Sequence, residues 1–162
     1  MITTIRARNV NEALRLGVLY MKEYDVRRIA PRDDEWTIER VGPVVTEYVY
    51  PQERVCTIPE RDANPFFHLF ESLWILGGRK DVAYLEQFNS NMRRYSDDGV
   101  TYNAPYGWRL REQFGIDQIE FAIRMLKEDP DTRRCVLQIW GVNDLGLQSK
   151  DIPCNDTIFF RS

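Results

Sequence analysis

Apolar residues recur at helical spacing in two amphipathic stretches of the chain. One stretch covers residues 10–24, and the other runs from Asp117 to Lys127. In each stretch, apolar positions three and four residues apart would line one face of a helix. We therefore predict two surface helices, whose apolar faces comprise Leu14, Val18 and Met21 in the first and Ile116, Ile119, Ile123 and Leu126 in the second.

A third predicted helix, at residues 62–78, has almost no polar face. Pro65 suits its first turn, and a pair of glycines would end it. Apolar residues fill nearly every position of Phe66–Leu76, so we expect a central buried helix. Glu71 interrupts this apolar surface, and a carboxyl group there must find a partner or accept a raised pKa. By burial alone, a glutamate on a narrow solvated seam is an equally good interpretation.

Stretches rich in β-branched and aromatic residues predict strands. Residues 36–50 break at Gly42-Pro43, which indicates two strands joined by a turn or a bulge. Residues 135–140 and 157–160 predict two further strands, whereas the charged residues 27–35 predict a loop. Strands interspersed with helices favour an α/β (α+β) fold, in which a mixed β-sheet is packed with helices.

The length and composition fit one globular domain that covers residues 1–162. Hydrophobic residues make up 43% of the chain and charged residues 29%, without a low-complexity tract. The net charge is −3 with Lys and Arg spread along the chain, which argues against nucleic-acid binding. No apolar run approaches the roughly 20 residues that cross a bilayer, and the N-terminus lacks the apolar core of a signal peptide.

The cysteine and histidine pattern argues against metal and disulfide frameworks. Cys56, Cys135 and Cys154 are odd in number and widely spaced, and His68 is the only histidine. A zinc site needs about four ligands at short spacings, and a disulfide framework needs paired cysteines. We therefore expect a reduced, cytoplasmic protein that contains no metal.

Candidate chemistry is concentrated between Arg133 and Phe160. Cys154 stands between a proline and a predicted strand, where its thiol can be held in one orientation to act as a nucleophile. Arg133 and Arg134 suit a phosphate dianion, because the planar guanidinium donates two parallel hydrogen bonds. Together they indicate an enzyme that acts on a nucleotide or another phosphorylated small molecule. From these residues alone, an unreactive buried cysteine and solvated arginines remain the more frequent interpretation.

Five short motifs stand in one order along about a hundred residues. They are FESLWILGG at 70–78, AYL at 83–85, PYG at 105–107, DQI at 117–119, and a final run that reads DPDTRR-x4-IW-x-VNDL followed by PC. In order and spacing they resemble the thymidylate synthase and deoxycytidylate (deoxyuridylate) hydroxymethylase family. The resemblance implies a thymidylate synthase-like fold that is incomplete at its C-terminus, because the family's later nucleotide-binding residues have no match before residue 162.

The resemblance also implies roles for individual residues. Cys154 would be the nucleophile, Glu71 the general acid/base element, and Tyr106 a further active-site residue. Asn155 stands where many synthases carry a histidine after the cysteine, a change that fits a hydroxymethylase as well as a synthase. The family usually continues Y-G-x-x-W-R, whereas here Trp108 follows the glycine directly, so the contacts made there should differ.

In the family, the arginine pair binds the substrate phosphate of the neighbouring subunit. Arg133 and Arg134 would then act across the two-fold axis of a symmetric homodimer. Arg40 matches a further phosphate-binding arginine from an N-terminal loop, although nothing local fixes that match and a solvated arginine is the alternative.

The function implied by the resemblance is folate-dependent one-carbon transfer to C5 of a pyrimidine deoxynucleotide monophosphate. The expected reaction is that of thymidylate synthase, which converts dUMP to dTMP with methylenetetrahydrofolate. One alternative is a dCMP or dUMP hydroxymethylase. The other is an inactive fragment or a subunit of a split enzyme, which needs a separate C-terminal segment to complete its site.

Overall fold

The computed structural model describes residues 2–23, 26–32 and 35–161, with side chains described outside residues 26–36. The chain forms two compact units, and the boundary between them along the sequence falls between Pro65 and Phe66. Helices and small sheets occur together, which confirms the α/β class. The described strands form three two-stranded sheets, so the single mixed sheet and the single domain stay predictions.

The first unit combines a helix with two pairs of strands. Its described elements are β1 (Thr3–Ala7), α1 (Val10–Glu23), β2 (Val26–Arg32), β3 (Glu35–Arg40) and β4 (Val44–Tyr48). β1 runs parallel to β4, whereas β2 and β3 are antiparallel. The helix predicted at residues 10–24 is confirmed, and it begins after Asn9, whose side chain accepts hydrogen bonds from the first turn. The two strands predicted within residues 36–50 are confirmed as β3 and β4.

The loop predicted at residues 27–35 is wrong over most of its length, because residues 26–32 form strand β2. Charged residues and proline are infrequent in strands, so the charges of residues 27–35 and Pro31 favoured a loop. Backbone pairing with β3 determines the structure instead. The register shifts between Ile29 and Arg32, around the proline, which cannot donate a ladder hydrogen bond.

The second unit contains the remaining helices and a short hairpin-like sheet. Its principal elements are α2 (Pro65–Leu76), α3 (Val82–Glu86), α4 (Tyr106–Trp108) with the π-helical turn Arg109–Gln113, α5 (Gln118–Glu128), β5 (Val136–Gln138) and β6 (Thr157–Phe159). β5 and β6 are antiparallel with Leu137 opposite Ile158. The strands predicted at residues 135–140 and 157–160 are confirmed, although each is shorter.

The expectation that α2 is a central buried helix is wrong for the described chain. Its first residue is Pro65 and Gly78 ends it in a left-handed conformation, with φ of 65°. Only Trp74 is buried, however, and an apolar stripe on the opposite side is exposed, with Phe66 at 72%. The helix is apolar over most of its surface, and the residues of this exposed stripe are Phe66, Leu69, Leu73 and Leu76.

Two clusters of buried side chains form the core of the second unit. One joins α5 to β5 and comprises Leu110, Ala122, Cys135, Leu137 and Ile139, and the other joins α2 to α3 and comprises Trp74, Val82, Leu85 and Tyr102. The predicted apolar face of α5 is partly wrong, because Ile116 and Ile123 are exposed while Ala122 is buried. Ile119 and Leu126 pack against the first cluster as predicted, and Ala122 takes the place of Ile123 in the stripe.

Candidate active site

The segment that carries Cys154 is tied to the end of β5. The backbone N–H groups of Ile139 and Trp140 both donate to the carbonyl oxygen of Asp156, at 2.9 and 3.2 Å. The indole N–H of Trp140 donates to the carbonyl oxygen of Pro153 at 3.0 Å. Pro153 is buried, whereas Cys154 is exposed. The thiol is therefore accessible on a backbone that is held on both sides.

Tyr106 lies beside this segment. Its hydroxyl oxygen accepts a hydrogen bond from the backbone N–H of Cys154 at 3.3 Å. Burial raises the pKa of Tyr106, and the thiol of Cys154 raises it further, whereas hydrogen bonds from the Cys154 backbone and the Asn155 side chain lower it. The structure thus brings together three of the predicted site residues, Tyr106, Cys154 and Asn155.

A close approach of two helices fixes the position of Tyr106. The next residue, Gly107, is buried against α2, and a Cβ atom added there would lie 1.9 Å from the carbonyl oxygen of Ile75. Only glycine fits this contact, because the obstructing atoms belong to the backbone.

A cavity of about 210 Å³ opens beside Cys154. It is lined mainly by apolar and aromatic side chains, with six residues that carry a carboxyl, hydroxyl or thiol group. These are Glu71, Tyr95, Tyr102, Tyr106, Asp151 and Cys154. The predicted acid/base residue Glu71 is therefore brought to the same cavity as the predicted nucleophile.

Burial raises the pKa of two carboxyl groups that line this cavity. Burial raises the pKa of Glu71, and His68 opposes the shift. Burial also raises the pKa of Asp151, although its Oδ2 accepts a hydrogen bond from the N–H of Ala104 at 2.7 Å. Carboxyl groups whose pKa is raised toward neutrality are suited to proton transfer.

A buried ion pair holds together the backbone segments next to the site. Arg109, only 1% exposed, donates to both carboxylate oxygens of Asp144, at 2.7 and 2.8 Å. Its guanidinium also donates to the carbonyl oxygens of Asn103 and Ile139, each at 2.9 Å. Hydrogen bonds from Arg109 lower the pKa of Asp144. The pair joins the loop before α4 to the end of β5, and sequence reasoning gave it no role.

The predicted arginine pair lies elsewhere in the unit. Arg133 and Arg134 are exposed immediately before β5, and neither is among the described residues that line the Cys154 cavity. Arg134 borders a separate hollow of about 180 Å³ beside α5. Within one chain, the structure does not bring these guanidiniums to the thiol.

Arg40 belongs to the first unit, at the end of β3. Its guanidinium lies over the ring of Tyr20, with Cζ 5.2 Å from the ring centroid. This is the geometry of a cation–π contact.

Two other kinds of site are absent from the described residues. No group of three His, Cys, Asp or Glu side chains there is arranged to hold a metal ion. No helix in the described part of the chain is both long enough and apolar enough to span a bilayer.

Comparison with known proteins gives one family and several relatives. The family whose sequence model matches is described as thymidylate synthase, and the match covers residues 28–162. The deoxyuridylate hydroxymethyltransferase of Pseudomonas phage M6 is 47% identical over 158 residues, which cover 97% of this chain and 44% of that protein. The deoxyuridylate hydroxymethyltransferase of Bacillus phage SP01 is 40% identical over 153 residues, which cover 87% of this chain and 39% of that protein.

A cellular relative is more distant. The thymidylate synthase of Wigglesworthia glossinidia brevipalpis is 31% identical over 93 residues, which cover 54% of this chain and 35% of that protein. The chain thus spans less than half the length of each of these three relatives.

Proposed function

The chain belongs to the thymidylate synthase family of transferases, and from this membership we propose that the protein transfers a one-carbon unit to C5 of a pyrimidine deoxynucleotide monophosphate. The observation that carries the proposal is the grouping of Cys154, Tyr106 and Glu71 around one cavity. A nucleophile, a hydroxyl group that contacts its backbone and a carboxyl group with a raised pKa are the groups that the reaction needs.

In the proposed reaction, the Cys154 thiolate adds to C6 of the pyrimidine ring. The addition makes C5 nucleophilic. The C5 atom of an unmodified pyrimidine does not have this reactivity. Tyr106 holds the backbone of Cys154 in place through their hydrogen bond. Glu71 transfers protons at the ring and at water, a role supported by the raised pKa of its carboxyl group.

Methylenetetrahydrofolate is the proposed one-carbon donor, and it supplies the methylene group when bound. The cavity wall beside the thiol includes Trp74, Met92 and Tyr95. Flat aromatic and polarizable side chains suit the stacking of a pyrimidine or a pterin ring, so the residues present fit these two ligands.

Deoxyuridylate hydroxymethylation is the product chemistry that we favour. The two phage relatives that align with most of this chain are named deoxyuridylate hydroxymethyltransferases. Asn155 in place of the histidine of many synthases agrees with this choice. Methylation of dUMP to dTMP is the second candidate, because the chain also aligns with a thymidylate synthase over part of its length.

Phosphate binding is assigned to Arg133 and Arg134 in the proposed symmetric homodimer, with Arg40 as a further phosphate ligand. The exposure of the arginine pair supports a role toward a ligand or a neighbouring subunit. We also propose a cytoplasmic location, in line with the cysteine pattern of the sequence.

The covalent step is tested with the 5-fluoro analogue of dUMP and methylenetetrahydrofolate. Because fluorine at C5 blocks the later steps, the wild-type protein should accumulate an adduct that mass spectrometry detects. Cys154→Ser should reduce adduct formation by on the order of a thousandfold or more, because it removes the nucleophile. Cys56→Ser is the matched control and should form the adduct normally. An undiminished adduct in Cys154→Ser would exclude the proposed role of this residue.

Two further measurements separate the alternatives. Mass spectrometry of the nucleotide product distinguishes a hydroxymethyl from a methyl group at C5. Comparing the 162-residue chain with the protein expressed from its complete reading frame tests whether further segments are required. Adduct formation only with the complete reading frame would show that residues outside this chain are needed to complete the site.

A further inference from the structure

The hydroxyl group of Tyr102 is buried without a partner. Tyr102 is 7% exposed, and its ring packs edge-on against Trp74 with centroids 5.6 Å apart. Its hydroxyl oxygen has no hydrogen-bond partner among the described residues. An unsatisfied buried hydroxyl costs about 1–3 kcal/mol, and phenylalanine would pack the same ring without that cost. Packing of the ring therefore does not account for the hydroxyl group.

Tyr102 lines the Cys154 cavity together with Glu71 and Asp151. With a volume of about 210 Å³, the cavity has room for water, which takes up about 30 Å³ per molecule in the liquid. Burial, reinforced by the negative charge of Asp151 and other carboxylates, raises the pKa of Tyr102 to about 12. The phenol therefore keeps its proton at neutral pH and is available as a hydrogen-bond donor.

We propose that Tyr102 binds the water molecule that becomes the hydroxyl group of the hydroxymethyl product. This inference rests on the proposed function and assigns to it a water-binding residue. The phenol O–H donates to one lone pair of the water, which leaves the other lone pair free to attack. Glu71, in the same cavity, accepts the proton that the water loses.

In the hydration step, the water oxygen bonds to the methylene carbon on C5, and one water proton passes to the Glu71 carboxylate. The electron pair of the double bond between C5 and the methylene carbon moves into the ring. The ring then expels the Cys154 thiolate from C6, which restores the double bond between C5 and C6.

The test compares Tyr102→Phe with Tyr84→Phe, both made in the protein expressed from its complete reading frame. Tyr84 packs against the same cluster as Tyr102 but is not among the described residues that line the cavity, so its variant controls for loss of a phenol. Formation of the 5-fluoro adduct needs no water and should be unchanged in both variants. Hydroxymethyl production should fall roughly tenfold in Tyr102→Phe alone, the effect of losing one hydrogen bond of about 1.4 kcal/mol.

Two readouts separate water binding from a structural role. A small thiol in the buffer competes with water for the exocyclic methylene group. Its sulfur bonds to the methylene carbon, the Cys154 thiolate leaves C6 as in the hydration step, and the thiol proton passes to the departing thiolate, so that the product is a thioether. Tyr102→Phe should raise the ratio of thioether to hydroxymethyl product by about the same tenfold factor. Its unfolding temperature should match or exceed that of the wild type, because the substitution removes an unsatisfied hydroxyl.

Each other result overturns a defined claim. Unchanged hydroxymethyl production and thioether ratio in Tyr102→Phe would overturn the water-binding role while leaving the proposed function intact. Lower thermal stability with equal losses of adduct and product would show a structural role instead. Absence of the adduct in the wild-type protein would overturn the proposed function, and the water-binding role with it.

Discussion

Two sets of buried polar groups in the second unit differ in how well they are satisfied. In the ion pair beneath the site, Arg109 bonds both carboxylate oxygens of Asp144 and two backbone carbonyls. In the Cys154 cavity, Tyr102 has no hydrogen-bond partner among the described residues. Burial is the main cause of the raised pKa of Glu71. The first set holds the backbone in place, whereas the second set lowers the stability of the fold and, under the proposed function, keeps its polar groups available for a ligand.

The carboxyl groups of the two sets respond to pH in opposite directions. The lowered pKa of Asp144 contributes stability that is present at neutral pH and lost as the pH falls through the folded pKa. The raised pKa of Glu71 contributes stability that is present below the unfolded pKa, about 4.3, and lost as the pH rises through the folded value. Only the first carboxyl group stabilises the fold under the conditions in which the cavity would function.

The largest expected effect follows from breaking the buried ion pair. Arg109→Met should lower the free energy of unfolding by about 3–5 kcal/mol, because Asp144 would stay buried without its partner. Chemical denaturation measures the loss. The double variant Arg109→Met with Asp144→Leu should recover part of it, since the orphaned charge is also removed. A loss below about 1 kcal/mol in the single variant would show that the pair adds little to the fold.

Removal of the exposed arginine pair should have an intermediate effect, which concerns the affinity for the nucleotide and not the stability of the fold. Replacing Arg133 and Arg134 with alanine should weaken dUMP binding by roughly 10- to 100-fold, which corresponds to the loss of charge-assisted hydrogen bonds. The free energy of unfolding should change by less than about 0.5 kcal/mol, because both side chains are exposed.

Calorimetric titration with dUMP measures the affinity of this double variant. Arg124→Ala, another exposed arginine of the same unit, serves as the matched control and should bind normally. Undiminished binding by the Arg133 and Arg134 variant would remove these residues from the proposed site.

The smallest expected effect concerns the cavity carboxyl group. Glu71→Gln should raise the unfolding temperature at pH 7, because it removes a charge that burial disfavours. The gain should shrink toward about pH 3, where the wild-type carboxyl group is protonated in both the folded and the unfolded state. Thermal denaturation at the two pH values measures the difference, with the exposed Glu112→Gln as control. A gain that does not depend on pH would point to a cause other than the charge.

Local periodicity predicted the elements whose pattern is set by neighbours in sequence. The helix at residues 10–24 and the strands within 36–50, 135–140 and 157–160 were found, because propensity and capping decide them locally. Residues 27–35 were misjudged, because β2 depends on a partner strand that composition does not reveal. The burial of α2 was misjudged for a related reason, since an apolar surface does not specify what covers it.

The candidate site was predicted in part. The short motifs identified Cys154, Tyr106 and Glu71, which the fold gathers around one cavity. Arg109 was missed, because its role depends on Asp144, which is distant in sequence. Tyr102 was missed, because its role depends on the lack of a hydrogen-bond partner among the described residues. An arginine between Trp108 and Leu110 was the available signal for a buried charge, and nothing in sequence distinguished Tyr102 from any other core aromatic.

The contact between Gly107 and the carbonyl of Ile75 has a consequence for redesign. Since main-chain atoms alone set this spacing, exchanging side chains along α2 would reshape the cavity wall while leaving the anchor point of Tyr106 where it is. The shape of the cavity wall can therefore be varied from α2 without disturbing the backbone geometry around the sulfur.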